Sequence, residues 1–569
     1  LNERALIYLS INIVVQKGPN FIEKIIEGDI KRGFSKNKLC FRFPPEPNGF
    51  LHIGHVKAIC LNFDLGEEFG APVNLRFDDT NPSSEKKIYV EGIKEDILWL
   101  GYKWDKECYA SDYFEQLYMW AEELIRKGYA YVDSQDSETI ASQKGTPTKP
   151  GKESPYRSRS QEENLSLFSK MRAGKFEEGE HVLRAKINMS SPNMLLRDPV
   201  MYRIINKSHQ RTLKKWCIYP MYDWAHGQSD FIEKISHSLC TLEFKPHRDL
   251  YEWFLYALGP NLDNAPKQRE FARLNLSHTI TSKRKLKRLI DEGHVNGWDD
   301  PRMPTISGLR KRGYTPESLK KFVRTAGVAK RENIIELSLL EFCIREHLNK
   351  ISPRIMAVLD PIKLIIENYP EGKEEQLIGE INPEDPSQGT RKIPFSKELF
   401  IEKEDFQEQT EGGFFRLSLG SEVRLKNAYI IKAKEIKRDE EGNINHIVCS
   451  YDHLSKSGTG SIESKRKVKS TIHWVCSRKA NEIIVNQYDT LFLVPDPDKQ
   501  EDFIKHLNPK SLIKKNGFIE PYGASLKSGQ RVQFQRQGYF IAEKTNQDDK
   551  MVFNKTTGLR DSFKQKKKA

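Results

Sequence analysis

The chain has 569 residues, with 92 lysines and arginines against 79 aspartates and glutamates, a net charge of +13 and 37% hydrophobic residues. That length predicts about four domains, and the composition excludes a disordered chain, while no apolar run approaches the ~18 residues of a membrane helix, Leu6–Val15 being the best. The basic balance favours a polyanionic partner, nucleic acid above all, and the lack of a long apolar run leads to the expectation of no membrane partner.

Residues 1–38 read as a lead-in with a short amphipathic helix over Phe21–Ile30. Leu39–Phe43 is an apolar strand stopped by Pro44-Pro45. Asn48-Gly49 turns the chain, and a helix follows over Ile53–Phe69. Val73–Phe77 is a second apolar strand, with a helix after it around Ile88–Leu100. Strand, helix and strand predict a parallel βαβ unit over 39–110. Residues 111–215 interrupt it as an inserted domain, with helices over Tyr113–Lys127 and Glu162–Arg172 and a loop over Gly145–Arg159. The parallel pattern is expected to resume at Trp216–Tyr222 and to occupy 216–276. Residues 277–350 read as helical, with breaks at Trp298–Pro304 and Gly313–Pro316. From 351 to 569 the period changes to two. Val423–Ile431, Ile472–Val475, Leu491–Val494 and Val532–Phe540 read as short strands, which predicts antiparallel barrels. Ser455–Lys469 reads as a mobile basic loop and Lys564–Ala569 as a disordered tail. The eight cysteines form no Cys-x-x-Cys pair, so no structural zinc is expected. Free thiols in apolar surroundings fit a reducing, cytoplasmic location.

Two stretches carry chemistry. Pro44-Pro-Glu-Pro-Asn-Gly-Phe-Leu-His-Ile-Gly-His55 lies between the first strand and the first helix. A helix N-terminus there offers N–H groups and a positive dipole end to a phosphate. His52 and His55, three apart, share one helical face and can donate to phosphate oxygens as charge builds. Thr279-Ile-Thr-Ser-Lys-Arg-Lys285 places a Ser-Lys pair before a basic helix, where an ammonium can neutralise a leaving pyrophosphate.

The first stretch resembles the HIGH signature of class I aminoacyl-tRNA synthetases, and Glu46-Pro47-Asn48-Gly49 resembles the glutaminyl rather than the glutamyl branch. The second is similar to their KMSKS loop at Thr281, Ser282 and Lys283, with Thr281 where methionine is usual. The likeness extends through Leu75–Pro82, Lys215–Asp223, His237–Phe244, Arg273–Leu276, Gly297–Thr305, Val423–Ile431 and Thr556–Asp561. It implies a multidomain α/β plus all-β fold. This would hold a Rossmann-type catalytic domain, an inserted acceptor-stem domain, a helical subdomain and two anticodon-binding antiparallel β-barrels. The implied reaction is ATP-dependent activation of L-glutamine and its transfer to the 2′-hydroxyl of the terminal adenosine of tRNA(Gln).

The same resemblance assigns roles. His52, His55 and Lys283 would be catalytic. Glu46, Pro47, Asn48, Gly54, Thr241, Arg273, Leu274, Thr281 and Ser282 would join them around ATP, with Mg²⁺ arriving on the phosphates and no protein-bound metal. Asp78 would take the α-amino group of glutamine, Arg42 the α-carboxylate side, and Tyr222 with Gln268 the side-chain amide. Cys240 stands where glutamyl relatives usually carry arginine. A neutral side chain leaves no cation for a buried carboxylate, which favours glutamine. Lys330, Arg354, Arg416, Arg424, Lys426, Gln533 and Arg536 match tRNA-contact positions, and basic residues with aromatics suit an unpaired RNA loop. A monomer is expected, with other synthetases as potential complex partners. Two alternatives stay open: a glutamyl-tRNA synthetase, and a catalytically retired synthetase that serves as a tRNA scaffold.

Overall fold

A computed structural model describes residues 18–259, 265–409, 413–543 and 550–560. The apolar run Leu6–Val15 and the basic tail Lys564–Ala569 lie outside the described residues. The described residues form two compact units, one within 1–275 and 323–334, the other within 276–322 and 335–569.

In the first unit, Phe41–Phe43, Val73–Phe77 and Glu107–Tyr109 form a parallel sheet. Every residue of Val73–Phe77 is buried, as strands covered on both faces are. The helix Ile53–Phe69 buries Ile53, Val56, Ile59 and Phe63 and ends at Gly70, whose φ of 64° is the left-handed cap glycine permits. A second parallel pair, His237–Thr241 with Lys267–Phe271, runs beside the first strand. There Ser236 N–H donates to the Cys40 carbonyl, and Cys40 N–H to Ser236 Oγ, both at 3.0 Å.

Between these parallel segments the chain builds a four-stranded antiparallel sheet of Ala130–Asp133, Val182–Ala185, Val200–Ile204 and Ile218–Pro220. Helices Phe114–Arg126 and Gln161–Arg172 share its core through Leu117, Phe168, Leu183, Tyr202 and Trp216. The sequence places the return to the parallel sheet at Trp216–Tyr222. Instead Ile218–Pro220 is the last antiparallel strand, with Pro220 opposite Tyr202. A short apolar strand buried on both faces reads alike in either kind of sheet.

In the second unit, helices Lys283–Asp291, Ile306–Arg312 and Leu337–Ile351 precede two seven-stranded sheets. Each sheet closes on itself like a barrel. In one, Arg354–Ile355 and Ala357–Val358 are the two edges, yet they are consecutive pieces of one segment. In the other, Thr471–Ile472 and Val475–Cys476 play the same part. One bend thus pairs both edges and leaves none open. The expected all-antiparallel pairing needs correction, because Arg354–Ile355 runs parallel to Arg531–Phe534 and Pro361–Ile366 parallel to Ile444–Asp452.

The expected strand Ile472–Val475 is broken at this bend into Thr471–Ile472 and Val475–Cys476, and the three other expected strands also differ. Val423–Ile431 is a tight hairpin, Glu422–Leu425 against Ile430–Arg438, turning at Asn427 with φ 59°. Val532–Phe540 is another, turning at Arg536 with φ 69°. Leu491–Val494 is not a strand: Phe492 makes a lone bridge to Leu507, and Leu491 and Phe492 pack with Ile280, Leu286 and Leu289. Ser455–Lys469 carries a short helix, Ile462–Lys465, and its Ser455 and Ser464 carbonyls accept from the Arg424 guanidinium.

Candidate active site

The parallel strands of the first unit end in loops that carry most of the candidate residues. After Phe43 the chain runs through Pro45 and Pro47, both buried, with Glu46 exposed. Asp78 N–H donates to the Pro45 carbonyl at 3.1 Å and Lys86 N–H to that of Pro47 at 3.1 Å, so the loop after the second strand clasps the loop after the first. Asn48 N–H closes back on Glu46 at 2.9 Å.

His52 is the N-cap of the helix Ile53–Phe69. Gly54 N–H donates to His52 Nδ1 and His52 N–H to His55 Nδ1, both at 3.1 Å. The rings lie 3.9 Å apart. Because each Nδ1 accepts a main-chain hydrogen, each neutral ring carries its own hydrogen on Nε2. The helix start therefore presents two imidazole N–H donors beside its dipole end, an arrangement suited to phosphate oxygens. Gly54 stands against both this pair and Leu274: a Cβ there would lie 2.9 Å from His52 Cε1 and 3.8 Å from the Leu274 carbonyl oxygen. Lys57, one turn on, donates to the Ala272 carbonyl at 2.7 Å and ties the Arg273–Leu274 segment to the same helix. Arg273 itself pairs with Glu243 at 2.7 Å.

Asp78 follows the second strand and is 6% exposed. Arg76 Nε holds its Oδ1 at 2.7 Å, and His226 Nδ1 approaches Oδ2 at 3.2 Å. These partners keep its carboxyl below the usual range despite burial. Arg42 and Arg76, both fully buried, meet on Asp230. Arg42 further donates to Ser238 Oγ at 2.6 Å and to the Leu239 carbonyl at 2.9 Å. The α-carboxylate role suggested for Arg42 thus falls on a guanidinium already bound to protein acceptors, one that shapes the floor under the loops. Two buried cations on one acid are stable only with these hydrogen bonds in place. Asp230 and His226 escaped sequence reasoning, although their presence in the buried middle of the helix Tyr222–Ile232 is a signal that polar residues there must be paired.

Cys240, Thr241 and Tyr222 gather at the end of His237–Thr241. Tyr222 stacks on His226 at 4.7 Å and contacts Phe244 at 5.3 Å between ring centres. Gln268 Nε2 donates to the Phe244 carbonyl and to Glu270 Oε1, both at 2.9 Å. Burial pushes the Cys240 thiol up to about 12, so it stays neutral. The guanidiniums that act on it, Arg42 and Arg248, are paired with Asp230 and Glu270. Behind the Asp78 loop lies a second acidic pair: burial pushes Asp79 to about 7 and Glu85 to about 9. Asp79 is held by Ser111 N–H at 2.8 Å, and its carbonyl meets His209 Nε2 at 2.9 Å.

In the second unit, Ser282 stands at the N-cap position of the helix that starts at Lys283, without a side-chain capping bond. Leu286 and Leu289 of that helix pack on Phe492 and Phe503, and Lys285 pairs with Asp498 at 2.8 Å. His278 N–H donates to the Pro495 carbonyl at 2.8 Å, which anchors the loop holding Thr281.

The tRNA-contact candidates divide. Lys330, in the first unit, is exposed and lies 4.9 Å over the Phe21 ring. Arg354 pairs across strands with Gln533. Its guanidinium meets Asn349 at 2.9 Å, while Gln533 is only 7% exposed and donates to Tyr539. Arg416 and Arg536 share the buried Asp405 at 2.9 and 2.6 Å. Arg424 points inward to the carbonyls of Ser455 and Ser464. Lys426 is exposed.

The chain matches three family models: the tRNA synthetases class I (E and Q) catalytic domain over 38–350, and the family's two anti-codon binding domains over 352–452 and 471–543. It is 52% identical over 547 residues to a glutamine–tRNA ligase of Rhodopirellula baltica, covering 96% of this chain and 90% of that one. It is 53% identical to a glutamine–tRNA ligase of Vibrio vulnificus, covering 96% and 97%. A solved glutamate tRNA ligase from Elizabethkingia meningosepticum is more distant, at 19% identity and TM-score 0.40 over 55% of this chain and 70% of its own.

Proposed function

The chain belongs to the class I tRNA synthetases of the E and Q group, and we propose that it is a glutamine–tRNA ligase working through the residues just described. Glutamine's carboxylate attacks the α-phosphorus of ATP, and the bond to the β-phosphate oxygen breaks to release pyrophosphate. The 2′-hydroxyl of the terminal tRNA adenosine then attacks the adenylate carbonyl, and AMP leaves. No protein nucleophile takes part, so the rate comes from orientation and from charge stabilisation. The Nε2–H donors of His52 and His55 take up negative charge on the phosphates. Lys283 takes up charge on the leaving pyrophosphate, while Glu46, Pro47, Asn48, Thr241, Arg273 and Leu274 shape the nucleotide site. Mg²⁺ comes with ATP and is held mainly by its phosphates. Among the described residues no group of three or more His, Cys, Asp or Glu is arranged to hold a metal.

The observation that carries the choice of glutamine is the wall around Cys240. Its thiol is neutral, and the cations that act on it are matched by Asp230 and Glu270. A glutamate carboxylate would find no unmatched cation there, whereas an amide needs none. Tyr222 and Gln268 are the amide's partners in this reading, and Asp78 that of the α-ammonium.

We read the four-stranded antiparallel insertion as the acceptor-stem module and the two closed sheets as the holders of the anticodon loop, with a monomeric chain acting in the cytoplasm. No described helix is long and apolar enough to cross a membrane. Pyrophosphate exchange into ATP tests the proposal, with glutamine or glutamate, each with and without tRNA(Gln). Exchange with glutamine that depends on tRNA is expected. Preference for glutamate would overturn the Cys240 argument, and tRNA binding without any exchange would leave a scaffold. Lys283→Ala should lower the exchange rate by about 10²-fold or more with little change in the ATP KM; equal loss in both would remove Lys283 from the chemistry.

A further inference from the structure

The parallel strands begin, as well as end, at a cavity. Cys40, Pro72 and Lys106 each sit one residue before a strand of the three-stranded sheet and Ser236 one residue before the neighbouring parallel pair, and all four line a pocket of about 840 Å³. Asp78 and Thr241 lie at the opposite strand ends, so this pocket is separate from the proposed glutamine and ATP site.

Its lining has a distinct chemistry. Phe34, Tyr113, Trp120 and Phe231 give it aromatic walls, and the exposed Lys38, Lys106 and Lys234 give it a mainly basic rim, in which the one exposed acid, Asp112, is paired with Arg211. At its inner wall is Glu233, with a side chain 3% exposed. Among the described residues its carboxylate meets donors at long range, Tyr113 Oη at 3.3 Å, Asn74 Nδ2 at 3.4 Å and Arg76 Nη1 at 3.5 Å. A buried acid with such contacts gains from a closer donor. The Arg76 guanidinium bridges this acid and Asp78, which its Nε holds at 2.7 Å.

We propose that this pocket is an effector site for a planar aromatic molecule bearing an N–H donor for Glu233 and an anionic group for the lysine rim, and that Arg76 relays its occupation to Asp78. The aromatic body is buried among the four rings. The donor weakens the pull of Glu233 on Arg76, so the guanidinium settles more firmly on Asp78. Asp78 then competes less well for the substrate's α-ammonium, and the KM for glutamine rises. The relay rests on the role of Asp78 proposed above; the pocket's occupation does not.

Calorimetric titration of the full chain with indole-3-acetate separates the two. That probe has a planar ring, an indole N–H and a carboxylate. Saturable one-site binding is expected, weakened by about tenfold or more in Gln116→Trp, which fills the cavity from a helix surface, and in Lys106→Glu, which reverses a rim charge. The bound probe should raise the glutamine KM several-fold in pyrophosphate exchange and leave kcat within about twofold. No saturable binding up to about 10 mM, or binding undiminished in both variants, would overturn the site. Binding with an unchanged glutamine KM would overturn the relay. A chain that shows no glutamine-dependent exchange before any probe is added would instead overturn the proposed function, which the calorimetry does not depend on.

Discussion

The donor role proposed for His52 and His55 follows from each Nδ1 already accepting a main-chain N–H. This makes Gly54 the residue on which the pair depends. A methyl group there would lie 2.9 Å from His52 Cε1, and the ring must turn away from its partner N–H. Gly54→Ala should therefore reduce the exchange rate by about 10–10²-fold, while alanine's better helix propensity leaves the melting temperature level or higher. Melting curves alongside exchange assays decide it: an unchanged rate would show that the ring tolerates the methyl. Glu85 is a residue of another kind. Its side chain is 1% exposed, Oε1 accepts from Asn81 N–H at 2.5 Å, and Oε2 is buried without a hydrogen bond. Burial pushes it to about 9 from an ordinary value of 4.5. The folded chain thus keeps a proton that the unfolded chain releases, and stability falls as pH rises from about 4.5 to about 9. Glu85→Gln removes that dependence. Relative to the parent it should gain up to about 1.4 kcal/mol per pH unit across this window. Parallel melting curves for the two between pH 5 and 9 would refute the assignment.

Among the elements, helices and buried strands are legible in the sequence because their signals are local. The helix expected over Ile53–Phe69 is the helix observed, bounded by a capping histidine and Gly70. Turns at non-glycine residues are not legible in the same way. The hairpin at Asn427 interrupts a run that keeps an even alternation, because its turn residue takes a positive φ without a glycine to announce it, whereas at Arg536 the signal was Gly538, two residues on with φ 149°. The pairing of Ile218–Pro220 was hidden for a different reason, since nothing in three buried residues says which neighbour they will bond. At the candidate site the motif residues were legible, whereas Asp230, His226, Lys57 and Glu85 were not, for their roles come from partners distant in the chain. Asp405 is the same kind of residue in the second unit. It is fully buried and holds Arg416 and Arg536, which are 37% and 32% exposed. Asp405→Asn should cost about 1–3 kcal/mol, below the 3–5 kcal/mol of a wholly buried pair because both cations reach water. Chemical denaturation measures it, and a loss under about 0.5 kcal/mol would mean that the two arginines find other acceptors.

Over the whole molecule, the net charge of +13 suggests a strong salt dependence of tRNA binding, but the structure limits how much of it can meet phosphate. A lysine or arginine adds to the salt slope only if it neutralises a phosphate and releases a counterion. Arg424 is held by main-chain carbonyls, Arg416 and Arg536 by Asp405, and Arg354 by Asn349 and Glu384. Each would first have to leave a protein acceptor, which offsets the gain. Lys426 is exposed on the turn of its hairpin, with its carbonyl fixed by Trp474 Nε1 at 2.9 Å, so its ammonium can reach a phosphate while its backbone stays put. Lys426→Ala should lower the slope of log K against log salt by about one and weaken tRNA binding without changing its sequence preference. Arg424→Gln should leave the slope nearly unchanged and show its effect in stability, through the loop whose carbonyls it gathers. The reverse pattern, a slope that falls with Arg424 and not with Lys426, would mean that the loop at 455–469 opens when RNA binds and hands its arginine over.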